Sequence, residues 1–435
     1  MLTKEKYEAY LALLRSELVL ALGCTEPIAV AYAAAVAART LSVRPEHIEL
    51  WCSGNIVKNV KGVIVPNTGN LKGIDAAAIA GVVGGDPERS MQVLESITDE
   101  HRAEIKSLLG TEFCVTRLIE SEDNLFIVAK VFAGQESAEV HISGSHTSIQ
   151  RILKNGEVLF AQGENSPLHG GESEPEVKLT VRDILEFAQK VELNAVSDIL
   201  DAQIENNTMI ADEGLRGHYG MSVGKTLLKY SGSDIKTRAK ARAAAGSDAR
   251  MSGCALPVVI NSGSGNQGIT VSMPVVAYAE EMMIGKEMLY RALIVSNLVA
   301  IHQKSAIGKL SAFCGAVSAA CGAGAAITYM SGGGYEAICK TITNTVANVG
   351  GIVCDGAKPS CAAKIASAVD AAIMAHHLSS EGRTFSDGEG VVTADIEQTI
   401  ANIGRIGGEG MKSTDLEILR IMVGGSAIAT SAAAR

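Results

Sequence analysis

The sequence predicts an α+β protein: an N-terminal α/β part with a mostly antiparallel sheet, then an all-α C-terminal part. Three observations predict it. Strand-like runs cluster before residue 160 and nearly vanish after Thr180. Later segments carry apolar residues at helical spacing, several of them apolar all round, as central helices are. Aromatics make up only 4% of a chain that is 47% hydrophobic, with 45 glycines, which suits close-packed helices of small side chains better than an aromatic-rich sandwich.

The elements follow in order. "MLTKEKYEAYLALLRSEL" opens an amphipathic helix over 3–21, and further helices are expected at 27–40 and 73–83. The runs "HIELWCS", "GVIVP", "EFCVTRLIE", "NLFIVAKVF" and "AEVHIS" alternate and are rich in β-branched residues, the pattern of half-buried strands. Residues 162–177, "QGENSPLHGGESEPEV", are polar and rich in Gly and Pro. They divide the chain into expected domains 1–165 and 176–435. "TVRDILEFAQKV" then starts a helix with Thr180 as N-cap and Asp183 at the third position. More helices are expected near 192–205, 233–245, 270–284, 287–303, 305–330, 335–349, 361–378 and 393–403.

Composition excludes some functions. The net charge is −10 and basic residues are scattered, so nucleic acid is not an expected partner. Residues 311–335 carry no charge, but they are Gly/Ala-rich and poor in Leu, Ile and Phe, so a buried helix pair is expected rather than a membrane span. The N-terminus lacks the apolar stretch and cleavage site of a signal peptide. Nine cysteines are therefore expected as reduced thiols in the cytoplasm. The oligomeric state stays open, a homodimer among the options.

Two motifs are decoys. "GSGNQG" (263–268) matches a dinucleotide fingerprint, yet "ITVSMPVVAYAEEMMIG" after it reads as helix and supplies no second strand. Its backbone N–H groups before a helix still form an anion nest, suited to a substrate carboxylate. Asn261, Ser262, Gly263, Ser264, Gly265 and Asn266 are thus candidate substrate-binding residues. "GMSVGKT" (220–226) is one residue short of a P-loop and is expected as a turn before a helix, with Lys225 facing solvent.

The cysteines raise the sharper question. On one straight helix Cys354 and Cys361 of "CDGAKPSC" would lie roughly 10 Å apart. Asp355-Gly356 and Lys358-Pro359 break such a helix, and a loop can turn both thiols to one point near the next helix N-terminus. That end stabilises thiolates. The spacing does not fit the common zinc pairs, so a third ligand must come from elsewhere. Cys314 in "SAFCGAV" is the best candidate. On residues alone, buried core cysteines explain these positions equally well. Cys24 in "GCTEP" precedes a helix with Thr25 or Glu26 as its expected cap and Pro27 in the first turn. The helix end should lower its thiol pKa, with Glu26 opposing. Cys52, Cys114, Cys254, Cys321 and Cys339 are expected as packing residues. "SGNIVKNV" (53–60) and "VPNTGN" (65–70) are expected as polar loops facing the second part, with Lys58 in the first and Asn67 and Thr68 as further candidate substrate-binding residues in the second. "GSHTS" (144–148) and His376-His377 are expected at the surface or an interface.

The order "LALGCTEPIAVAYAAA", "CALPVVINSGSGNQGITVSMPV", "SAFCGAV" and "GGIVCDGAKPSCAAK" resembles the L-cysteine desulfidase family, related to the iron–sulfur-dependent L-serine dehydratases, over nearly the whole chain. The resemblance implies a [4Fe–4S] cluster on Cys314, Cys354 and Cys361 with one iron open, and Cys24 as catalytic base. It implies α,β-elimination of L-cysteine to pyruvate, ammonia and sulfide without pyridoxal phosphate. Elimination of water from L-serine or a related amino acid, and a non-enzymatic redox or metal sensor, are the alternatives.

Overall fold

The computed structural model describes residues 2–119, 123–162 and 178–423. The expected boundary at 162–177 lies, but for Gln162, outside the described residues. The α/β part comprises α1 (Lys4–Glu17), β1 (Leu20–Leu22), α2 (Thr25–Leu41), β2 (His47–Cys52), α3 (Gly54–Val60), α4 (Ile74–Gly84), α5 (Asp99–Leu108), β3 (Cys114–Leu118), β4 (Phe126–Ala133), β5 (Glu136–Ser143), β6 (Ile149–Lys154) and β7 (Glu157–Ala161). One sheet runs in the order β3-β2-β4-β5-β6-β7. Only the β2–β3 pair is parallel. The alternation in β2 buries Ile48, Leu50 and Cys52 on one face, and α2 packs against β4 and β5 with α4 behind it.

The helical part comprises α6 (Val181–Lys190), α7 (Ser197–Arg216), α8 (Val223–Ser231), α9 (Ile235–Met251), the short strand β8 (Pro257–Val259), α10 (Gly265–Glu281), α11 (Lys286–Ile307), α12 (Gly315–Met330), α13 (Tyr335–Val349), α14 (Cys361–Ser380), α15 (Ile396–Arg405) and α16 (Lys412–Val423). Among the described residues no helix is long and apolar enough to cross a membrane. The uncharged stretch instead forms α12, packed among α10, α11, α13 and α14. Small side chains permit this: a Cβ on Gly322 would lie 2.2 Å from the Ser296 carbonyl oxygen. Thr180 caps α6 as expected, accepting from the Asp183 N–H at 3.1 Å.

The two parts interlock. β1 pairs antiparallel with β8, and Tyr10 of α1 stacks edge-on against Phe187 of α6. The chain therefore threads its first elements against helices that arrive far later, which brings residues near 24 beside residues near 250 and 360.

Several expectations are corrected. "GVIVP" forms no strand; it makes a single bridge, Ile64 to Lys72. "SGNIVKNV" is helix α3, not a loop. The helix expected over 305–330 breaks, leaving Phe313 bridged to Val353. Lys225 is half-buried and donates to the Arg216 carbonyl at 2.9 Å, closing the end of α7 instead of facing solvent. His376 is buried against Thr328, its Nδ1 3.0 Å from that hydroxyl, and burial holds its pKa down at about 4.

Candidate active site

The break before α12 creates the first wall of the site. The Cys314 N–H donates to the Ile352 carbonyl at 3.0 Å, and the Cys354 N–H donates to Ala312 at 2.6 Å. This two-rung pairing places Cys314, the N-cap of α12, beside Cys354. The loop then turns at Gly356, whose φ is +94°. A Cβ there would sit 2.4 Å from the Lys58 carbonyl oxygen, so the loop lies directly on α3. Cys361 opens α14. Lys364, one turn on, bonds the Val353 carbonyl at 2.7 Å and the Asp355 carboxylate, which ties the loop closed.

Cys314, Cys354 and Cys361 line one cavity of about 90 Å³. Burial pushes the Cys314 thiol up to about 12, with the Cys354 thiol nearby adding to it. Cys361 is also shifted up by burial. Lys304, almost fully buried, lines the same cavity; burial lowers its ammonium to about 8 against the pull of Cys354 and Cys314. Among the described residues no three His, Cys, Asp or Glu side chains are placed to hold a metal ion. The three thiols instead lie along one cavity wall that Lys304, Lys309 and Arg250 also line.

The glycine loop supplies further lining. Asn261 and Ser264 pair across Ser262 and Gly263, at φ +49° and +74°, a tight turn of the type I′ kind. Ser264 is then the N-cap of α10, and it caps without a side-chain hydrogen bond. The first N–H groups of that helix have no intrahelical acceptor. Gly265 is required here, because a Cβ would lie 2.3 Å from Arg250 Nε. Ser264, Asn266, Gln267, Arg250 and Glu26 all line the cysteine cavity. Arg250 Nε, Asn266 Oδ1 and Gln267 Oε1 are buried without a hydrogen-bond partner among the described residues. Native proteins seldom leave such groups unsatisfied, and three in one cavity mark a place for a polar ligand. Asn261 and Ser262 hold the turn itself: Asn261 Nδ2 donates to Asn297 Oδ1 at 2.9 Å, and the Ser262 hydroxyl donates to Asn261 Oδ1 at 2.9 Å.

Cys24 is the N-cap of α2, with Pro27 in the first turn. Its sulfur lies 3.9 Å from Met251 Sδ, in a small apolar cluster that includes Cys361. The helix end was expected to lower its pKa. Burial raises it to about 12, opposed by Arg250 and assisted by Glu26. The magnitudes decide this: a helix terminus is worth up to about 2 kcal/mol, whereas full burial shifts a pKa by up to about 3–5 units. Asn67 and Thr68 are not among the residues lining this cavity. Asn67 borders a separate one of about 210 Å³ with Arg102, and the Thr68 hydroxyl donates to the Val65 carbonyl at 2.8 Å.

A family model described as the serine dehydratase alpha chain matches residues 88–420. The chain belongs to the serine dehydratase alpha-chain family. It is 52% identical over 417 residues to a UPF0597 protein of Lachnoclostridium phytofermentans, covering 96% of this chain and 100% of that protein. UPF0597 proteins of Desulfitobacterium hafniense and Treponema denticola are 50% and 46% identical, over 96% and 97% of this chain and 97% and 99% of theirs. Within this serine dehydratase alpha-chain relative, the matched span contains all three cavity cysteines and the glycine loop, while Cys24 and Glu26 precede it.

Sequence reasoning did not pick out Arg250, Gln267 or Lys304. Arg250 sits in "SDARMSG", which has no motif; only its buried, unpartnered nitrogen marks it. His146, expected at the surface or an interface, lies at the interface of the two parts. It is buried against Gly263, its Nε2 has no partner among the described residues, and burial holds its pKa at about 3, helped by Lys309 and Arg250.

Proposed function

We propose that the chain is an α,β-eliminating lyase of a small β-substituted L-amino acid, converting L-cysteine to pyruvate, ammonia and hydrogen sulfide. One observation carries this: three thiols share a cavity with buried, unsatisfied groups of the kind that recognise an amino acid. Cys314, Cys354 and Cys361 would hold a [4Fe–4S] cluster. When bound through three thiolates, such a cluster keeps one iron open as a Lewis acid for the substrate.

The protein's own groups divide the remaining work. Arg250 and the first amides of α10 bind the substrate carboxylate. Asn266 Oδ1 and Gln267 Oε1, acceptors without donors, receive the α-ammonium. Glu26, its carboxyl shifted up by burial, flanks that end. Cys24 takes the α-proton as thiolate, the form that the Arg250 charge favours and burial opposes. The C–S electrons leave with sulfur as hydrosulfide, and the aminoacrylate left behind is hydrolysed by water to pyruvate and ammonia. Family membership favours a second reading, in which L-serine loses water by the same steps.

The test is iron and acid-labile sulfide content of oxygen-free protein, then pyruvate formation from L-cysteine and from L-serine. Faster turnover of L-cysteine with sulfide release supports the first reading, and preference for L-serine the second. A full cluster with turnover of neither substrate ends both and leaves a sensor.

A further inference from the structure

We propose that Asn55 and Lys58 of α3 form a receptor for a small α-hydroxy or α-amino carboxylate, filled in this structure by Asp415 of α16. This inference does not depend on the elimination reaction. Lys58 is 1% exposed and its ammonium pairs with Asp415 Oδ1. Asn55 Nδ2 donates to Asp415 Oδ2 at 2.7 Å. Residues three apart share a helix face, so the two donors grip both oxygens of one carboxylate. An ammonium buried this deeply demands an anion.

The carboxylate comes from a helix that is exposed along much of its length. α16 joins the body through a π-helical turn, Ile406–Gly410, with glycine at 407, 408 and 410. Leu416 is 57% and Ile421 72% exposed. Leu419 is the buried apolar side chain of α16 among the described residues, seated where Gly54 has none; a Cβ on Gly54 would lie 2.5 Å from Leu419 Cδ2. Beneath the helix lies a cavity of about 610 Å³ lined by Asn55, Lys58, Asp415, Asn124 and Ser311. Ser311 also borders the cysteine cavity, as does Asn59, the neighbour of Lys58.

The ligand class follows from one more atom. Asn55 Oδ1 is buried and has no hydrogen-bond partner among the described residues. Asp415 does not serve it: both its carboxylate oxygens are taken up as acceptors, from Asn55 Nδ2 and Lys58 Nζ. A ligand with a hydroxyl or ammonium next to its carboxylate satisfies Oδ1, Nδ2 and Lys58 together. Asp415 is then an internal competitor that such a ligand displaces, lifting α16.

The probe is L-lactate, which has no β-leaving group, so its binding is independent of turnover. Binding to full-length protein is measured by calorimetry, and α16 is followed by tryptic cleavage at Lys412 and Arg420. L-Lactate should accelerate cleavage, and acetate, lacking the hydroxyl, should do so far less. Asp415→Asn should cleave quickly without ligand and bind L-lactate about tenfold tighter, because the internal competitor is gone. Lys58→Met should abolish binding. If Asp415→Asn does not fold, Leu419→Ser, which loosens α16 without touching the receptor, should also tighten binding. Unchanged affinity in the folded variants overturns the proposal. So does binding that survives Lys58→Met but is lost in Arg250→Met, which would assign L-lactate to the cysteine cavity.

Discussion

The two sides of the cysteine cavity are built alike and offer opposite chemistry. The cysteine wall is fixed by backbone: two hydrogen bonds join 312–314 to 352–354, and the thiols are side chains that this pairing carries along. The glycine-loop wall is fixed by backbone as well, but its chemistry lies in what it leaves unsatisfied, at Arg250, Asn266 and Gln267. The first wall offers soft sulfur donors and no unmet hydrogen bonds; the second offers unmet hydrogen bonds and no sulfur. Under the proposed function this division separates the cluster from the amino acid, and variants should separate them too.

The largest effect is expected at the cysteine wall. Cys314→Ala, Cys354→Ala and Cys361→Ala should each lose iron and activity together, read by metal content and pyruvate assay. Cys24→Ala should lose activity and keep its iron; iron loss there would move Cys24 into the ligand set and break the comparison. Next, Arg250→Met should keep the iron while KM rises about 10- to 100-fold, the worth of a hydrogen bond to a charged group. An unchanged KM would put the substrate elsewhere.

Gly265→Ala sharpens the same point with a smaller effect. The added methyl collides with the guanidinium, so a loss of about 1–3 kcal/mol in stability is expected from denaturant unfolding, with KM raised alongside. The smallest effect concerns Asp248, behind the glycine-loop wall. Burial raises its carboxyl to about 6 even though Oδ2 accepts from the Val223 N–H at 2.6 Å. A raised carboxyl favours the folded state while protonated, so this contribution is full below the unfolded value near 3.8 and is lost as pH rises through about 6. The Tm of Asp248→Asn should therefore fall less than that of the unaltered chain between pH 4 and 7.

Much of the layout was legible where pattern and context agree. The helices from α9 to α15, α12 apart, lie close to their expected positions because long apolar periodicity survives packing. "GVIVP" failed because β propensity needs a neighbouring edge, and the chain there bends through Asn67, Gly69, Asn70 and Gly73, all at positive φ. The β6–β7 hairpin turns at Asn155-Gly156, both at positive φ, and went unpredicted; β7 is short and exposed along its whole length. Cys314, Cys354 and Cys361, singled out by resemblance, and Asn266, singled out by its loop, line one cavity. The depth of Cys24, and the approach of Arg250 to Gly265, depend on the β1–β8 pairing, which no local pattern announces.

Gly356 carries one last consequence. With no side chain to hold them apart, the cysteine-bearing loop and α3 touch backbone to backbone. A push on α3 from the solvent side has no cushion to absorb it before it reaches Cys354 and Cys361. A displacement of α3 is thus handed straight to the loop that carries Cys354, with a bare α-carbon at the point of touch.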